Sequence, residues 1–246
     1  MSALGRLRLA VSFLTRIPVG APEASPADVG RSLALFPVVG LVLGGALAAL
    51  ARLLESRLPE EVLAALLVAA LAALTGALHL DGVADVFDGL GGGRGDRERT
   101  LALMRDSRIG GHGATALVLA VIAKVSTLAA VLPAGNLRVL VVFPAIGRWL
   151  AVLLVVVYPY ARSEGLGRAF TEHAGARELA LATAVTAIAA AWTGAGAIAA
   201  AGAAALAALA FGAWLTRRLG GLTGDAYGAA VELGEVAFLV AWLAGG

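Results

Sequence analysis

Residues 179–216 read LALATAVTAIAAAWTGAGAIAAAGAAALAALAFGAWLT and contain no charged side chain. A helix needs about 20 mostly apolar residues to cross the hydrocarbon core of a bilayer, which is about 30 Å thick. The 38 residues of this segment are too many for one crossing, and the sequence WTGAG at 192–196 interrupts them near the middle. The segment therefore predicts two consecutive transmembrane helices.

Five more apolar segments extend this pattern over the chain. They are 33–54, 62–80, 113–132, 139–158 and 227–242. The short sequence PAGN at 133–136 joins the third of these to the fourth as a turn, and the last segment can span only if it carries Glu232 and Glu235 inside the membrane. We predict an all-α, polytopic integral membrane protein with about seven transmembrane helices, in which residues 1–246 form a single catalytic domain.

The overall composition supports this class and excludes others. Hydrophobic residues make up 60% of the chain and charged residues 15%, whereas soluble domains have roughly 45–50% and about 25%. A soluble enzyme, a disordered chain and a nucleic-acid-binding module are therefore excluded. Because the chain has no cysteine, disulfides, thiolate catalysis and cysteine-ligated zinc or iron–sulfur centres are excluded as well.

The distribution of arginines predicts the orientation in the membrane. Cytoplasmic loops of membrane proteins carry an excess of Lys and Arg. With the N-terminus inside, fourteen arginines lie in cytoplasmic segments, and only Arg52, Arg57 and Arg138 lie outside. We therefore predict a cytoplasmic N-terminus and an external C-terminus.

The first residues predict a helix that lies on the membrane surface. Leu4, Leu7, Val11 and Leu14 fall on one face of a helix, while the apolar run at 9–14 is too short for a signal peptide. This pattern indicates an interfacial amphipathic helix on the cytoplasmic side. A disordered leader is the alternative.

Acidic residues cluster after the second predicted span. The sequence HLDGVADVFDG at 79–89 places Asp81, Asp85 and Asp88 at i, i+4 and i+7, which is one face of a helix. Three adjacent carboxylates repel one another unless a cation neutralises them, and Mg²⁺ or Mn²⁺ prefers such oxygen ligands together with substrate phosphates. The alternative is a solvated polar face that pairs with the arginines that follow.

Three other cytoplasmic segments carry candidate phosphate ligands. Glycines at a helix N-terminus leave backbone N–H groups free for anions, and arginines clamp phosphate oxygens. An ordinary positively charged flank with a glycine hinge is the alternative for 104–113. The candidates from the segments 104–113 (MRDSRIGGHG), 161–167 (ARSEGLG) and 220–225 (GGLTGD) are Arg105, Asp106, Ser107, Arg108, Gly110, His112, Gly113, Arg162, Glu164 and Asp225.

Four charges fall inside predicted spans, where charged side chains are costly and are usually functional. Lys124 and Arg148 lie at nearly equal distances from the turn at 133–136, so an antiparallel hairpin places them at similar depth. Glu232 and Glu235 are the anions available to them. We expect these four residues to form a buried polar cluster below the active site, with a purely structural ion-pair network as the alternative.

These motifs together closely resemble those of the cobalamin synthase family, the adenosylcobinamide-GDP ribazoletransferases. The resemblance covers essentially the whole chain in order. It rests on SFLTRIP at 12–18, FPVVG at 36–40, HLDGVADVFDG at 79–89, MRDSRIGGHG at 104–113, ARSEGLG at 161–167 and GLTGD at 221–225, with Glu232 and Glu235.

The resemblance implies a Mg²⁺-dependent transfer, with Mn²⁺ as a substitute cation. A hydroxyl of α-ribazole or its 5′-phosphate attacks the pyrophosphate of adenosylcobinamide-GDP, GMP leaves, and adenosylcobalamin or its 5′-phosphate forms. The expected roles are metal binding and general-base catalysis by Asp81, Asp85 and Asp88, with His79 as another candidate base, and phosphate binding by Arg105, Arg108, Arg162 and the glycines after Ile109. Asp106 and Asp225 are expected to add contacts to the metal or its ligands.

The resemblance also implies a location and partners. It places the chain in a bacterial cytoplasmic (inner) membrane as a multi-pass protein, with the active site on the cytoplasmic side and the lipid bilayer around it. Association with other cobalamin-assembly enzymes and a homo-oligomer both stay open, and no nucleic acid is expected.

Two other functions compete with this one. A CDP-alcohol phosphatidyltransferase also uses clustered aspartates at the cytoplasmic end of a span. A transporter would use Lys124, Arg148, Glu232 and Glu235 as a pathway at the membrane midplane. The sequence of the predicted spans shows no corresponding pair of interruptions in two halves, which makes transport the less expected function.

Overall fold

The computed structural model describes residues 1–20 and 23–245. Within these ranges the chain forms twelve α-helices and two short 3-10 helices, and no β-strand. The prediction of an all-α protein is confirmed. The α-helices are α1 (Ala3–Leu14), α2 (Pro26–Ser32), α3 (Phe36–Leu54), α4 (Glu60–Thr75), α5 (Leu78–Gly93), α6 (Arg97–Leu103), α7 (Gly111–Val131), α8 (Leu137–Val157), α9 (Leu166–His173), α10 (Ala176–Thr193), α11 (Ala195–Leu219) and α12 (Gly224–Gly245).

The helices have the lengths and hydropathy of a multi-pass membrane protein. In the described part of the chain, five helices are long and apolar enough to cross a bilayer. Two bent pairs, α4 with α5 and α9 with α10, raise the number to seven if each pair is one span. The predicted polytopic architecture is confirmed, and α12 carries the last predicted span as one continuous helix.

The segment 62–80, predicted as one span, does not form a single straight helix in the structure. Helix α4 ends at Thr75, and α5 begins at Leu78 after a bend of 91°. Gly76 and Ala77 both adopt left-handed backbone conformations, with φ of 64° and 57°. Left-handed residues cannot continue a right-handed helix, so the span is broken immediately before the aspartate motif.

The breaks between α10 and α11 and between α7 and α8 lie where the sequence predicts them. Helix α10 ends at Thr193, and Gly194, with φ of 130°, separates it from α11. Helix α7 is followed by a 3-10 turn and by Gly135, with φ of 67°, before α8 begins at Leu137.

Close packing of small residues holds the helices around α8 and α12. A Cβ atom on Gly40 of α3 would lie 2.5 Å from the Cα of Ala145 in α8. A Cβ on Gly82 of α5 would lie 2.6 Å from the carbonyl oxygen of Asp225 in α12. Glycines at helix contacts let backbones approach closely in membrane proteins, and these two contacts place α3 and α5 against the helices that carry the candidate site.

The N-terminal residues form helix α1, but the side chains of its predicted apolar face differ in burial between the two ends of the helix. Leu4 is exposed, whereas Leu14 is 2% exposed and packs inside the protein. Phe13 packs against Phe36 and Phe170, with ring centroids 5.8 and 5.1 Å away. The end of α1 is therefore part of the protein core, because its aromatic side chain completes a cluster with α3 and α9.

Candidate active site

A cavity of about 490 Å³ lies between α5, α8, α12 and the segment that joins α8 to α9. Three kinds of side chain form its surface. Charged residues, Asp81, Arg105, Arg162, Glu164 and Asp225, form one part, which we call the mouth. His79, Arg148 and Tyr227 form the floor, and Phe13, Leu14, Leu33, Phe36, Phe170 and other apolar residues form the wall.

The floor rests on a buried charge cluster, which consists of Lys124, Arg148, Glu232 and Glu235. Lys124 pairs with Glu232 and lies 2.6 Å from Glu235, and Arg148 pairs with the other oxygen of Glu235. All four side chains are almost completely buried. The structure thus brings together the four intramembrane charges that the sequence singled out, and it adds His79, whose Nδ1 lies 3.4 Å from Arg148.

At the mouth, an ion pair joins the sequence motifs 161–167 and 220–225. Arg162 donates to Asp225 Oδ2 at 2.8 Å. Backbone hydrogen bonds hold the two segments together, from Ala161 to the Leu222 carbonyl and from Leu222 to the Pro159 carbonyl, both at 2.8 Å. Because these segments pair so tightly, Arg162 is fixed against the first turn of α12.

Two of the three clustered aspartates lie close to this ion pair. Asp81 lines the mouth. Asp85, one turn further along α5, does not line the cavity but lies within electrostatic range of Asp81, Asp225 and Arg162. The contact between Gly82 and α12 brings these carboxylates together.

Asp88 lies on α5 with the other two aspartates, but it contacts the backbone of α7. Its two carboxylate oxygens accept hydrogen bonds from the backbone N–H groups of Gly110 and Gly113, at 2.6 and 2.8 Å. Asp88 therefore caps the N-terminus of α7, where the helix dipole and free N–H groups favour an anion. In this structure Asp88, predicted as a metal ligand, therefore accepts from the backbone, and two of the glycines predicted to bind phosphate bind this carboxylate.

Of the remaining residues predicted in 104–113, only Arg105 reaches the cavity. Asp106 and Arg108 bind each other at 2.7 Å, and the Arg108 guanidinium lowers the pKa of Asp106 to about 2. Ser107 is exposed, and His112 lies against Gly91 beside a separate shallow groove. Ser107, Arg108 and His112 therefore lie outside the cavity. Their role as phosphate ligands stays a prediction.

The carboxylates at and beside the mouth supply too few ligands to hold a divalent cation without help from a substrate. In the described part of the chain, no three His, Asp or Glu side chains lie close enough to hold a metal ion. Asp81 and Asp85 nevertheless form an acidic pair beside the arginines. Mg²⁺ is commonly bound by one or two carboxylates and substrate phosphates, so the donor set fits a cation delivered with a pyrophosphate.

The sequence did not identify several residues of the cavity. Tyr160, Tyr227 and the aromatic wall of Phe13, Phe36 and Phe170 all line it. Burial raises the pKa of Tyr160, so its hydroxyl stays protonated and able to donate. Phe13 and Phe36 do lie within quoted motifs, but an aromatic residue of a membrane protein has the same sequence signal whether it faces lipid or a ligand.

This arrangement suits the chemistry of phosphate esters. Arginines at the mouth can bind phosphate oxygens, and the neighbouring carboxylates can bind a cation or accept a proton. The adjoining apolar space, enclosed by α1, α3 and α9, can exclude water from a reacting hydroxyl.

Comparison with known proteins identifies relatives over the whole chain. A protein named adenosylcobinamide-GDP ribazoletransferase from Pseudomonas paraeruginosa is 44% identical over 245 residues, which cover 97% of this chain and 98% of the relative. Relatives of the same name from Syntrophobacter fumaroxidans and Klebsiella pneumoniae are 44% and 40% identical, and the alignments cover 94% and 95% of this chain and 95% and 97% of the relatives.

No solved structure matches the chain. The family model described as cobalamin-5-phosphate synthase matches residues 6–243, a range that includes every residue of the cavity. The chain belongs to the cobalamin-5-phosphate synthase family.

Proposed function

We propose that this protein transfers the phosphocobinamide group of adenosylcobinamide-GDP to α-ribazole or α-ribazole 5′-phosphate. The products are GMP and adenosylcobalamin or its 5′-phosphate. The observation that carries the proposal is the Arg162–Asp225 ion pair beside Asp81 and Arg105 at the mouth of the cavity. This arrangement places phosphate-binding and proton-accepting groups side by side, in a chain whose relatives are named for this transfer.

The proposed reaction is a displacement at phosphorus. A hydroxyl oxygen of α-ribazole forms a bond to the phosphorus that carries cobinamide, and the bond from that phosphorus to the bridging oxygen breaks. GMP leaves with the bridging oxygen and its electron pair. Arg105 and Arg162 hold the charged oxygens in position, so the proposed catalysis depends on orientation and electrostatics.

Asp225 is the proposed acceptor of the hydroxyl proton. Arg162 and Thr223 both donate to its Oδ2, at 2.8 and 3.4 Å. Its Oδ1 accepts no hydrogen bond from the residues that the structure describes. Because one oxygen is anchored, the other is held in a fixed direction with its lone pairs available to the hydroxyl.

Asp81 and Asp85 are the proposed ligands of Mg²⁺, for which Mn²⁺ is a substitute. When bound, the cation neutralises charge on the pyrophosphate. Asp81 forms no ion pair with any described residue, so its carboxylate is free for this task. Asp88 is not included, because both its oxygens bind α7.

The experiment uses purified protein in detergent with Mg²⁺, adenosylcobinamide-GDP and α-ribazole, and measures GMP and the corrinoid product. We expect both products in equal amounts. Asp225→Asn should lower kcat by roughly 10²–10⁴-fold, as for loss of a general base. Asp96→Asn is the matched control, because Asp96 caps α6 away from the cavity and asparagine is also a good cap.

Two outcomes would contradict the proposal. Reaction with a CDP-activated lipid, but not with adenosylcobinamide-GDP, would indicate a phosphatidyltransferase. Movement of a corrinoid across vesicles without release of GMP would indicate a transporter.

The proposed location is a bacterial cytoplasmic membrane, with the mouth of the cavity on the cytoplasmic side. The relatives named above are bacterial. The segments around the mouth carry Arg94, Arg97, Arg99, Arg105, Arg108 and Arg162. This excess of positive charge favours the cytoplasmic side.

A further inference from the structure

We propose that the cavity is the binding site of α-ribazole, with its benzimidazole base on the floor and its ribose hydroxyls toward the mouth. The corrinoid substrate then approaches from outside the cavity and presents only its pyrophosphate to the mouth. This inference rests on the proposed function and deepens it, because it assigns the two substrates to different parts of the site.

The size of the cavity selects the smaller substrate. Its volume of about 490 Å³ lies within the roughly 300–1,000 Å³ that is typical of pockets for drug-sized molecules. A single nucleoside fits this space. A corrin ring with its side-chain amides and adenosyl ligand is several times larger than a nucleoside, so the corrinoid has to stay outside.

The wall of the cavity is suited to a flat, apolar base. Phe13, Phe36 and Phe170 form a mutually packed cluster, with ring centroids 5.1–5.8 Å apart. Leu14 and Leu33 extend the apolar surface beside them. Aromatic rings favour stacked and edge-to-face contacts with other aromatic systems, and a benzimidazole offers two ring faces with almost no polar atoms.

The floor carries buried donors that lack a partner in the protein. Among the described residues, Arg148 Nε and Tyr227 Oη have no hydrogen-bond partner. Arg148 is 1% exposed and Tyr227 7% exposed, and both line the cavity. Since buried polar groups without partners are rare and destabilising, these donors point to a ligand atom that accepts hydrogen bonds.

The chemistry of the floor favours a benzimidazole over the guanine of the other substrate. A guanidinium only donates, so His79 Nδ1 accepts from Arg148 and its other ring nitrogen carries the proton. The floor therefore offers hydrogen-bond donors to a ligand. The carboxylates of Glu232 and Glu235 form ion pairs with Lys124 and Arg148 and are not available as acceptors. A benzimidazole has one free acceptor nitrogen and no donor on its ring, whereas guanine has three N–H donors, for which the floor offers only the Tyr227 hydroxyl as an acceptor.

The test compares two substitutions in the cavity with two outside it. Tyr227→Phe removes a hydroxyl that has no hydrogen-bond partner among the described residues, and Phe170→Leu removes a ring from the wall. The matched controls are Tyr158→Phe, whose hydroxyl donates to the Leu209 carbonyl at 2.7 Å, and Phe211→Leu, whose ring lies beside Trp214. Neither control residue lines the cavity.

Calorimetry with α-ribazole alone and steady-state kinetics with both substrates are the two measurements. We expect Tyr227→Phe to raise the Kd and KM for α-ribazole by about 3–10-fold, as for one lost hydrogen bond. Phe170→Leu should raise both constants by a similar factor. The KM for adenosylcobinamide-GDP should not change in either variant, and both controls should retain the α-ribazole constants of the unmodified protein.

Two results would overturn the assignment. If both cavity variants raise the KM for adenosylcobinamide-GDP and leave the α-ribazole constants unchanged, the cavity holds the corrinoid nucleotide. If neither substrate is affected, the floor donors bind only water. A protein that binds α-ribazole in the expected way but releases no GMP would instead contradict the proposed function and leave the cavity assignment standing.

Discussion

The ammonium group of Lys124 lies 2.6 Å from a carboxylate oxygen of Glu235, inside a helix bundle where both side chains are buried. Lys124 also pairs with Glu232, and the other oxygen of Glu235 pairs with Arg148. Two cations and two anions cancel, so the cluster has no net charge. It joins α7, α8 and α12 directly beneath the cavity, and the position of Arg148 in the floor depends on it.

The cluster predicts a specific pattern of stability. Lys124→Met leaves Glu232 buried without its cation, and removal of one partner of a buried ion pair costs about 3–5 kcal/mol. The double variant Lys124→Met/Glu232→Gln keeps the Arg148–Glu235 pair and restores neutrality, so it should recover most of that loss. Thermal unfolding in detergent measures both. A double variant as unstable as the single one would show that the pairing of these two charges does not set the stability.

The cap formed by Asp88 predicts that asparagine and alanine act differently at this position. Asp88→Ala removes both hydrogen bonds to the N-terminus of α7 and should destabilise the protein by about 2 kcal/mol. Asp88→Asn keeps one acceptor oxygen and should retain much of the stability and the activity. Unfolding midpoints and GMP release measure these effects. Equal and complete loss of activity in both variants, with normal stability, would indicate a metal ligand instead of a cap.

The sequence predicted most of the helix arrangement because bilayer thickness and turn residues leave few alternatives. The uncharged segment 179–216 had to divide, and Gly194 divides it. The four charged residues of the predicted spans were expected to form ion pairs with one another, since an unpaired charge in hydrocarbon is costly. The similar depth of Lys124 and Arg148 could be predicted because they lie at nearly equal distances from the turn of an antiparallel hairpin.

The details of the site depended on information that local patterns do not contain. Helical spacing correctly puts Asp81, Asp85 and Asp88 on one helix, but Asp88 is drawn to the free N–H groups of α7. That choice depends on how α5 packs against α7 after the break at Gly76 and Ala77. Likewise, Phe13 and Phe170 are distant in sequence, and only the tertiary fold brings their rings to 5.1 Å.

The carboxylates at the mouth predict a dependence on divalent cations. Removal of Mg²⁺ with a chelator should abolish release of GMP, and Mg²⁺ or Mn²⁺ should restore it. Asp81→Asn removes one charged ligand and should raise the Mg²⁺ concentration for half-maximal activity by at least about tenfold. The same titration with Asp96→Asn, which changes an exposed cap of α6, provides the control. Full activity in the chelator would contradict the metal assignment at Asp81 and Asp85.

The absence of cysteine allows a direct test of the proposed orientation. Ser56 lies in the short segment between α3 and α4, Glu98 lies in α6, and both are exposed. If the N-terminus is cytoplasmic, a membrane-impermeant maleimide should label Ser56→Cys in intact spheroplasts and Glu98→Cys only after lysis. The unmodified protein should not react in either condition. The opposite pattern would place the mouth of the cavity outside the cell, where the arginines of 94–108 would contradict the positive-inside rule.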